Sequence, residues 1–378
     1  MKKYFIIALL CSLFCLVGCM NQEEKDKKLV EALNNQNVQE VQKWLNKKAN
    51  PNVVMSIMTE DLKEIRPLLM SVYQGNLEIA KLLLEAGADV NARVGEEKVT
   101  ALILASGRYY NVQIMKLLLE AGADPNLPDY NDVTPLLYTC FLPGDDINAA
   151  IETLLKAKAD PNIRNNDGIT ALMVAVANGY TGAVKLLLEA KADPNVVSKY
   201  NQSPLILASE MDNNEIVKIL LRYGANPNGN MDSSWKKKNV HELLASFKNS
   251  NEHPLFTPLI HASYRGNIEL VDILLRSGAN PNVPDSNMNT PLLFAASSPS
   301  NNRFKIAEML LKAGADINYF NSSHENKTAY EFAAEKSDLQ MMKLLKKYGA
   351  DDQKASKMKS SLVRKLLFSK DGGVKILQ

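Results

Sequence analysis

One short phrase recurs along most of the chain, and its spacing constrains the fold more than any other feature. Most copies read glycine or lysine, alanine, aspartate or asparagine, then proline or an aliphatic residue, then asparagine. A second phrase, threonine or serine followed by proline or alanine and leucine, alternates with the first, as in Thr134-Pro135-Leu136. A chain repeated in this way is expected to fold as stacked supersecondary units. The first phrase begins at Gly87, Gly122, Lys158, Lys191, Gly224, Gly278, Gly314 and Gly349.

The copy at residues 165–196 shows what one unit can form. The Thr170 hydroxyl can cap a first helix, and Gly179 can end it in a left-handed conformation. Apolar residues then recur at helical spacing in two short runs, followed by turn residues at Asp193-Pro194-Asn195. Each unit is therefore predicted to be two short helices and a projecting turn, with apolar faces that only neighbouring units can bury. Small residues are expected where paired helices approach closely, at Ala175, Ala208, Ala262 and Ala295.

These phrases resemble the ankyrin repeat, whose hallmark is T-P-L-H-x-A. The resemblance implies an all-α fold, an ankyrin-repeat solenoid of about nine helix–turn–helix repeats with projecting β-turn or hairpin loops. The repeat domain is assigned to residues 28–352, with an insertion at about 229–256. No copy keeps the histidine of the hallmark, so apolar packing is expected to replace its hydrogen bonds to the turns.

The N-terminus carries a basic start, an apolar run from Tyr4 to Val17, and the sequence Leu16-Val17-Gly18-Cys19. The run is too short for a transmembrane helix and suits a secretory signal. Its end resembles the bacterial lipobox, which implies a signal peptide at 1–18 and lipidation of Cys19. A plain signal peptide with an incidental cysteine is the alternative. Residues 19–27 are predicted to be the lipidated cysteine and a polar tether.

These features predict attachment to a membrane of the bacterial cell envelope through the lipid anchor at Cys19. The protein would lie on the periplasmic side of the outer membrane or at the cell surface. Met20 occupies the position where an aspartate resembles an inner-membrane retention signal in enteric bacteria, and this weakly favours the outer membrane.

The charge balance argues against nucleic acid as a partner. The formal net charge is +2, and removal of Lys2 and Lys3 with a signal peptide leaves 2 − 2 = 0. Phosphate binding needs a basic field. Only Cys140 lies outside the N-terminal region, so the repeats are expected to fold without a disulfide framework.

Two segments depart from the repeat pattern. The insertion contains Trp235 followed by three lysines, and is either a tolerated surface loop or part of a binding site. The tail at 353–378 is basic and carries leucines at helical spacing. It is either a terminal capping helix or a segment that adsorbs to anionic lipid.

Motifs for catalysis are not found in the sequence. His241-Glu242-Leu243-Leu244-Ala245 lacks the second histidine of a zinc helix, and no phosphate-binding loop or nucleophile elbow occurs. His253, His261 and His324 are interpreted as solvated or capping residues. We therefore predict no enzyme activity, no metal, no cofactor and no small-molecule substrate.

The resemblance implies a protein partner, of unknown identity, bound by turn tips and the exposed side of the first helices on the concave face. The predicted function is a membrane-anchored protein–protein interaction scaffold. A surface-exposed lipoprotein that binds a host protein is the alternative, and an enzyme or metal-binding protein, with its site in the insertion, is a weaker one. The predicted protein-binding residues are Tyr73, Tyr109, Tyr130, Val133, Phe141, Ile169, Tyr200, Trp235, Tyr264 and Asn287.

Overall fold

A computed structural model describes residues 21–56, 64–107, 111–142, 144, 146–229, 257–285, 287–319, 321 and 327–351. Cys19, Tyr109, Trp235, nearly all of the insertion and the basic tail lie outside these ranges. The described residues form eighteen helices and two short strands, divided between unit 1, up to Asn166, and unit 2, from Asp167. None of the described helices combines the length and the apolar character that a membrane span requires.

Unit 1 contains four helix pairs and both strands. In chain order the elements are α1 Gln22–Asn34, α2 Val38–Asn46, β1 Met55–Ser56, β2 Glu64–Ile65, α3 Pro67–Tyr73, α4 Leu77–Glu85, α5 Ala101–Gly107, α6 Val112–Glu120, α7 Pro135–Phe141 and α8 Ile147–Lys156. The two strands pair antiparallel with Met55 opposite Ile65. Val94 and Val99 form an isolated antiparallel β-bridge in the corresponding turn of the next repeat.

Unit 2 contains five helix pairs. They are α9 Ala171–Ala177 with α10 Thr181–Glu189, α11 Pro204–Glu210 with α12 Asn214–Arg222, α13 Pro258–Arg265 with α14 Ile268–Arg276, α15 Pro291–Ser297 with α16 Arg303–Lys312, and α17 Ala329–Glu335 with α18 Leu339–Lys347. The predicted all-α array of about nine helix pairs is confirmed.

Side-chain caps define where the helices begin. The first helices start after threonine or serine: the Thr134 hydroxyl, for example, accepts a hydrogen bond from the Leu137 N–H at 3.3 Å. Thr328 and Glu331 form a reciprocal capping box at α17. The second helices mostly start after asparagine, as at Asn76, whose side chain accepts from the Ile79 N–H at 3.0 Å. Arg66, which stands where the first helices from α5 onward have threonine or serine, provides no side-chain cap for α3.

Within each unit, first helices contact the first helices of neighbouring pairs and second helices contact second helices. Leucine, isoleucine and valine from both sets are buried between them. Ala175, Ala208, Ala262 and Ala295 are all 0% exposed, as close approach of the helices requires. A side chain larger than alanine would have to displace neighbouring atoms there.

An asparagine ladder links the turns of successive repeats within each unit. The Asn91 side chain accepts from the Asp124 N–H at 2.8 Å and donates to the Gly122 carbonyl at 3.1 Å. The Asp89 carboxylate in turn accepts a hydrogen bond from the Asn91 N–H at 3.0 Å. These acidic and amide side chains therefore serve the turns, as the sequence predicted. The ladder asparagines are Asn52, Asn91 and Asn126 in unit 1, and Asn195, Asn228, Asn282 and Asn318 in unit 2.

The ladder and the helix packing continue across the insertion. The Asn280 N–H donates to the Asn228 side chain at 2.8 Å although 52 residues separate them. Helices that precede the insertion contact helices that follow it: α11 contacts α13, and α12 contacts α14. The repeats before and after the insertion are therefore direct neighbours.

The predicted polar tether is wrong for residues 22–27, which form the first turns of α1. Asn21 caps this helix by accepting from the Glu24 N–H at 2.7 Å, and Glu23 and Glu24 stand in its first turn. Asp26 accepts from the Asn50 N–H at 2.7 Å. Half-buried Asp26 thus ties the helix to the first turn of the array, while Gln22, Glu23, Glu24 and Lys27 remain exposed.

Candidate functional site

The exposed side of each first helix is set by its register. When the capping residue is counted as position 0, positions +4, +7 and +8 share one side of the helix because they are separated by about one helical turn. Leucine and alanine at most other positions point into the core. From α3 onward the described side chains at +4, +7 and +8 are exposed or half-buried, apart from the buried Val174 and Ser298, and they form the accessible surface of the first helices.

On α3, α5 and α7 of unit 1 these positions form what we call the aromatic face. Tyr73, Phe141 and Leu142 are exposed, and the other members are half-buried. Gln74 and Gly107 complete the described positions on these three helices, and none of them carries a charge. The aromatic face consists of Met70, Tyr73, Leu104, Tyr138, Phe141 and Leu142.

Tyr138 anchors this face to the turn that precedes its helix. Its hydroxyl donates to Asp129 Oδ2 at 3.0 Å, and its ring meets Phe141 edge-on at 6.5 Å between centroids. Burial, followed by this hydrogen bond, raises the pKa of Tyr138 to about 12. A Cβ at Gly107 would lie 3.4 Å from the Tyr138 ring, so the glycine leaves room for it. The ring is thus held in one orientation at the surface.

The tips lie beside the aromatic face, and each is defined as the four residues before a first-helix cap. In unit 1 the Tyr130 N–H donates to the Glu97 carbonyl at 2.9 Å and joins two successive tips. Tyr130 is 65% exposed, and the Lys98 ammonium lies 6.0 Å from its ring centroid. Of the two tip residues of unit 1 predicted to bind, Tyr130 and Val133, Tyr130 has the accessible position that binding requires.

Val133 was predicted as a binding residue, and its burial contradicts this. Only 7% of it is exposed. Its N–H donates to Asp129 Oδ1 at 2.8 Å, and its carbonyl accepts from the Asp129 N–H at 3.0 Å. The tip folds back at this residue, so the side chain turns inward while Asn131 and Asp132 remain outside.

In unit 2 the same register carries a mixed surface. Tyr264 and Phe294 come from neighbouring first helices, and their rings meet edge-on at 5.9 Å. Met211 is 61% exposed beside them in register. Charged residues are interspersed here, at Glu210 and Arg265. This surface is therefore less uniformly apolar than the aromatic face of unit 1.

His261 belongs to this surface, and its interpretation as a solvated or capping residue is wrong. Its Nε2 lies 3.2 Å from Glu210 Oε1, and only 17% of its side chain is exposed. Gln202 Nε2 donates to the same carboxylate oxygen at 3.3 Å. Burial alone would raise the pKa of Glu210, but the hydrogen bonds from His261 and Gln202 and the charge of Arg265 hold it below its ordinary value.

The other predicted binding residues are placed as follows. Tyr73, Phe141 and Tyr264 are exposed on first helices, at position +7. Tyr200 and Asn287 are exposed on tips of unit 2, and Ile169 is half-buried on another. Tyr109, Trp235 and Cys19 lie outside the described residues.

Sequence reasoning missed six apolar members of these surfaces, namely Met70, Leu104, Tyr138, Leu142, Met211 and Phe294. Counting each first helix from its cap would have found them, because all six fall at +4 or +8. The Glu210–His261 contact could not be found in this way. The insertion separates the two residues by 51 positions, and their proximity depends on how the repeats stack.

In the described part of the chain, no three His, Cys, Asp or Glu residues lie together in a way that could hold a metal ion. Cys140 is fully buried, and burial raises the pKa of its thiol to about 12. It therefore remains a protonated filler of the core at neutral pH.

Comparisons with known proteins agree with this architecture. The family model described as ankyrin repeats (3 copies) matches residues 29–129, 68–147, 136–231 and 233–321. The crystal structure of the ankyrin repeat domain of Bcl-3, a unique member of the IkappaB protein family, is similar at 30% sequence identity and a TM-score of 0.52. That match covers 65% of this chain and 98% of the other. No curated protein gives a significant match.

Proposed function

Because this chain belongs to the ankyrin-repeat family, we propose that it is a membrane-anchored scaffold that binds another protein through its first helices and tips. The observation that carries the proposal is the distribution of exposed large apolar side chains. Of those in the described residues, seven lie on first-helix positions +7 and +8 or on tips: Tyr73, Tyr130, Phe141, Leu142, Tyr200, Met211 and Tyr264. The remaining four, Val54, Leu77, Tyr223 and Leu339, lie elsewhere.

Exposed aromatic residues on the first helices and tips of one unit are typical of interfaces, because a partner can remove them from water together. Tyrosine adds a hydroxyl that can hydrogen-bond at the rim of such an interface. Ankyrin-repeat proteins are generally binding scaffolds, and the matching family model indicates no catalytic family. Binding without catalysis is therefore the function that these surfaces support best.

Site-specific photocrosslinking in intact cells tests this proposal. A photoreactive amino acid replaces Tyr73 in unit 1 or Tyr264 in unit 2, both exposed on first helices. The matched control is Tyr223, which is 43% exposed at the end of the second helix α12. We expect a discrete adduct from Tyr73 or Tyr264 and none from Tyr223. Equal labelling from all three, or no adduct from either first-helix position, would contradict the proposal.

The membrane anchor is proposed from the sequence of the N-terminus. In this proposal the signal peptide at 1–18 is removed, and acyl chains are attached to Cys19. Each buried methylene contributes about 0.8 kcal/mol, so two or three acyl chains anchor stably where one does not. We expect a palmitate analogue to label the full chain and not the Cys19→Ser variant, which should leave the membrane fraction. Labelling of that variant would disprove the assignment.

The side of the membrane decides between a periplasmic partner and a host molecule. Protease added to whole cells cleaves a surface-exposed array and spares one that faces the periplasm. We favour the cell envelope in both cases, and complete resistance of the chain to protease in intact cells would eliminate the host-binding alternative.

A further inference from the structure

We propose that the aromatic face of unit 1 docks a cationic amphipathic segment of the partner protein, with its apolar side chains on the face and its lysines or arginines against the tips. The inference rests on the proposed function, because it assumes that first helices and tips are the binding surface. It adds the chemistry of the partner.

The apolar half of the argument comes from the face itself. Its six residues lie at equivalent positions of three successive first helices and carry no charge. Tyr138 is fixed by Asp129 and Phe141, so the surface is ordered before a partner arrives. Preorganised aromatic surface favours a partner that presents apolar side chains on one side.

The second half comes from the charge of the tips. The described tip residues of unit 1 carry four exposed carboxylates, at Glu64, Glu96, Glu97 and Asp132, against the single lysine Lys98. Among the described residues, no lysine or arginine forms an ion pair with these four carboxylates. Lys98 is placed over the Tyr130 ring instead. Unneutralised carboxylates beside an apolar face select a partner with positive charge next to its apolar side chains.

Lysine and arginine suit this border for a second reason. Their aliphatic stems can lie on apolar surface while the charged ends reach the carboxylates. An acidic segment, an anionic membrane or a nucleic acid would be repelled by the same carboxylates.

Unit 2 provides the contrast within the same chain. Its described tip residues carry Asp167 against Lys199 and Lys327, and its first-helix surface includes Glu210 and Arg265. Charge there is nearly balanced, so a preference for cationic segments is expected from unit 1 and not from unit 2.

A pair of synthetic peptides tests the proposal on the full chain in non-ionic detergent, with detergent alone as the blank. One peptide carries leucine and lysine at helical spacing, and the other has glutamate in place of every lysine. We expect fluorescence anisotropy to give the lysine peptide an affinity about tenfold higher, and added salt to reduce that difference. Equal binding of the two peptides, or tighter binding of the glutamate peptide, would overturn the proposal.

Variants locate the preference. Glu96→Gln with Glu97→Gln should remove most of the preference for the lysine peptide, whereas Glu78→Gln with Glu120→Gln, the same charge change on second helices, should preserve it. Phe141→Ala should weaken lysine-peptide binding about tenfold, and Tyr223→Ala, at the end of the second helix α12, should not. All these side chains are exposed, and unchanged thermal melts establish that each variant is folded. Equal effects of the test and control variants would count against the site.

The two levels of the proposal fail separately. If Tyr73 captures a partner in cells but the lysine peptide shows no preference, the scaffold function stands and the cationic chemistry is wrong. If the peptides discriminate but no first-helix position captures a protein, the proposed function is lost and the preference is only a property of the surface.

Discussion

The environment of the Tyr138 phenol keeps it neutral at pH values at which a tyrosine ordinarily ionises. Its ordinary pKa is 10.0, and the folded protein raises the pKa to about 12 through burial and the hydrogen bond to Asp129. Because the folded value lies above the unfolded value, the associated stability is fully present below pH 10. It is lost as the pH rises through about 12.

We therefore expect the free energy of unfolding to fall more steeply above pH 10 in the natural chain than in Tyr138→Phe, which has no phenol to ionise. Urea unfolding at stepped pH measures both slopes. The pKa of Tyr319 is also raised to about 12, but Tyr319 is present in both proteins, so its contribution cancels when the two slopes are compared. Parallel slopes would show that Tyr138 titrates alike in the folded and unfolded chains.

The ladder asparagines predict a stability effect at single residues. Asn91→Ala removes one bond to the Asp124 N–H and one to the Gly122 carbonyl. The expected loss is about 1–3 kcal/mol, since each net hydrogen bond contributes about 0.5–1.5 kcal/mol. Asn131→Ala is the control, because this exposed residue lies outside the ladder. Urea unfolding that fails to separate the two variants would argue against the ladder's role.

At the scale of the helix, the end of α8 stores backbone strain. Lys158 has φ +67° where most copies of the phrase have glycine, and the Ala159 N–H closes the helix end on the Leu154 carbonyl at 3.0 Å. Glycine adopts this left-handed conformation without strain, and the strain removed outweighs the cost of glycine's greater freedom in the unfolded chain. Lys158→Gly should therefore raise the free energy of unfolding, by about 0.5–1 kcal/mol. Lys156→Gly, within the helix, should lower it in the same urea titration.

Close packing of the first helices predicts a second effect at this scale. Ala208 in α11 is 0% exposed, and α11 contacts both α9 and α13. Ala208→Leu should overpack these contacts at a cost of about 1–3 kcal/mol and broaden the thermal transition. Ala177→Leu adds the same side chain at an exposed position of α9 and should melt like the natural chain. A sharp, unshifted melt for Ala208→Leu would mean that the helices are not in close contact.

Local sequence predicted the helix pairs well, because caps, apolar spacing and turn residues all act within one repeat. It failed where a distant residue decides the outcome. Asp26 looked like part of a solvated tether, and its partner, the Asn50 N–H, lies 24 residues away. Val133 looked like a tip residue, and only the folded turn around Asp129 shows that it points inward. The exposed register of the first helices could be read from the sequence, whereas the polar contacts made across repeats could not.

For the molecule as a whole, an array needs an end that meets water, and α1 is the first element of unit 1. A mature chain beginning at Lys28 loses the Asn21 cap and the Asp26 bond to Asn50. We expect its free energy of unfolding to be lower than that of a chain beginning at Asn21, by at least about 1 kcal/mol. Lys27→Ala in the longer chain should be neutral. Equal stability of the two chains would restore the tether interpretation.

The hydrogen bond between Asn228 and Asn280 has a consequence for which changes of sequence this chain can accept. Since the turns on either side of the extra sequence are joined directly, the number of residues between them is uncoupled from the pitch of the repeats. Evolution can lengthen, shorten or replace that stretch without re-registering the array. An engineer could splice a passenger domain at the same place and leave the neighbouring turns bonded as before.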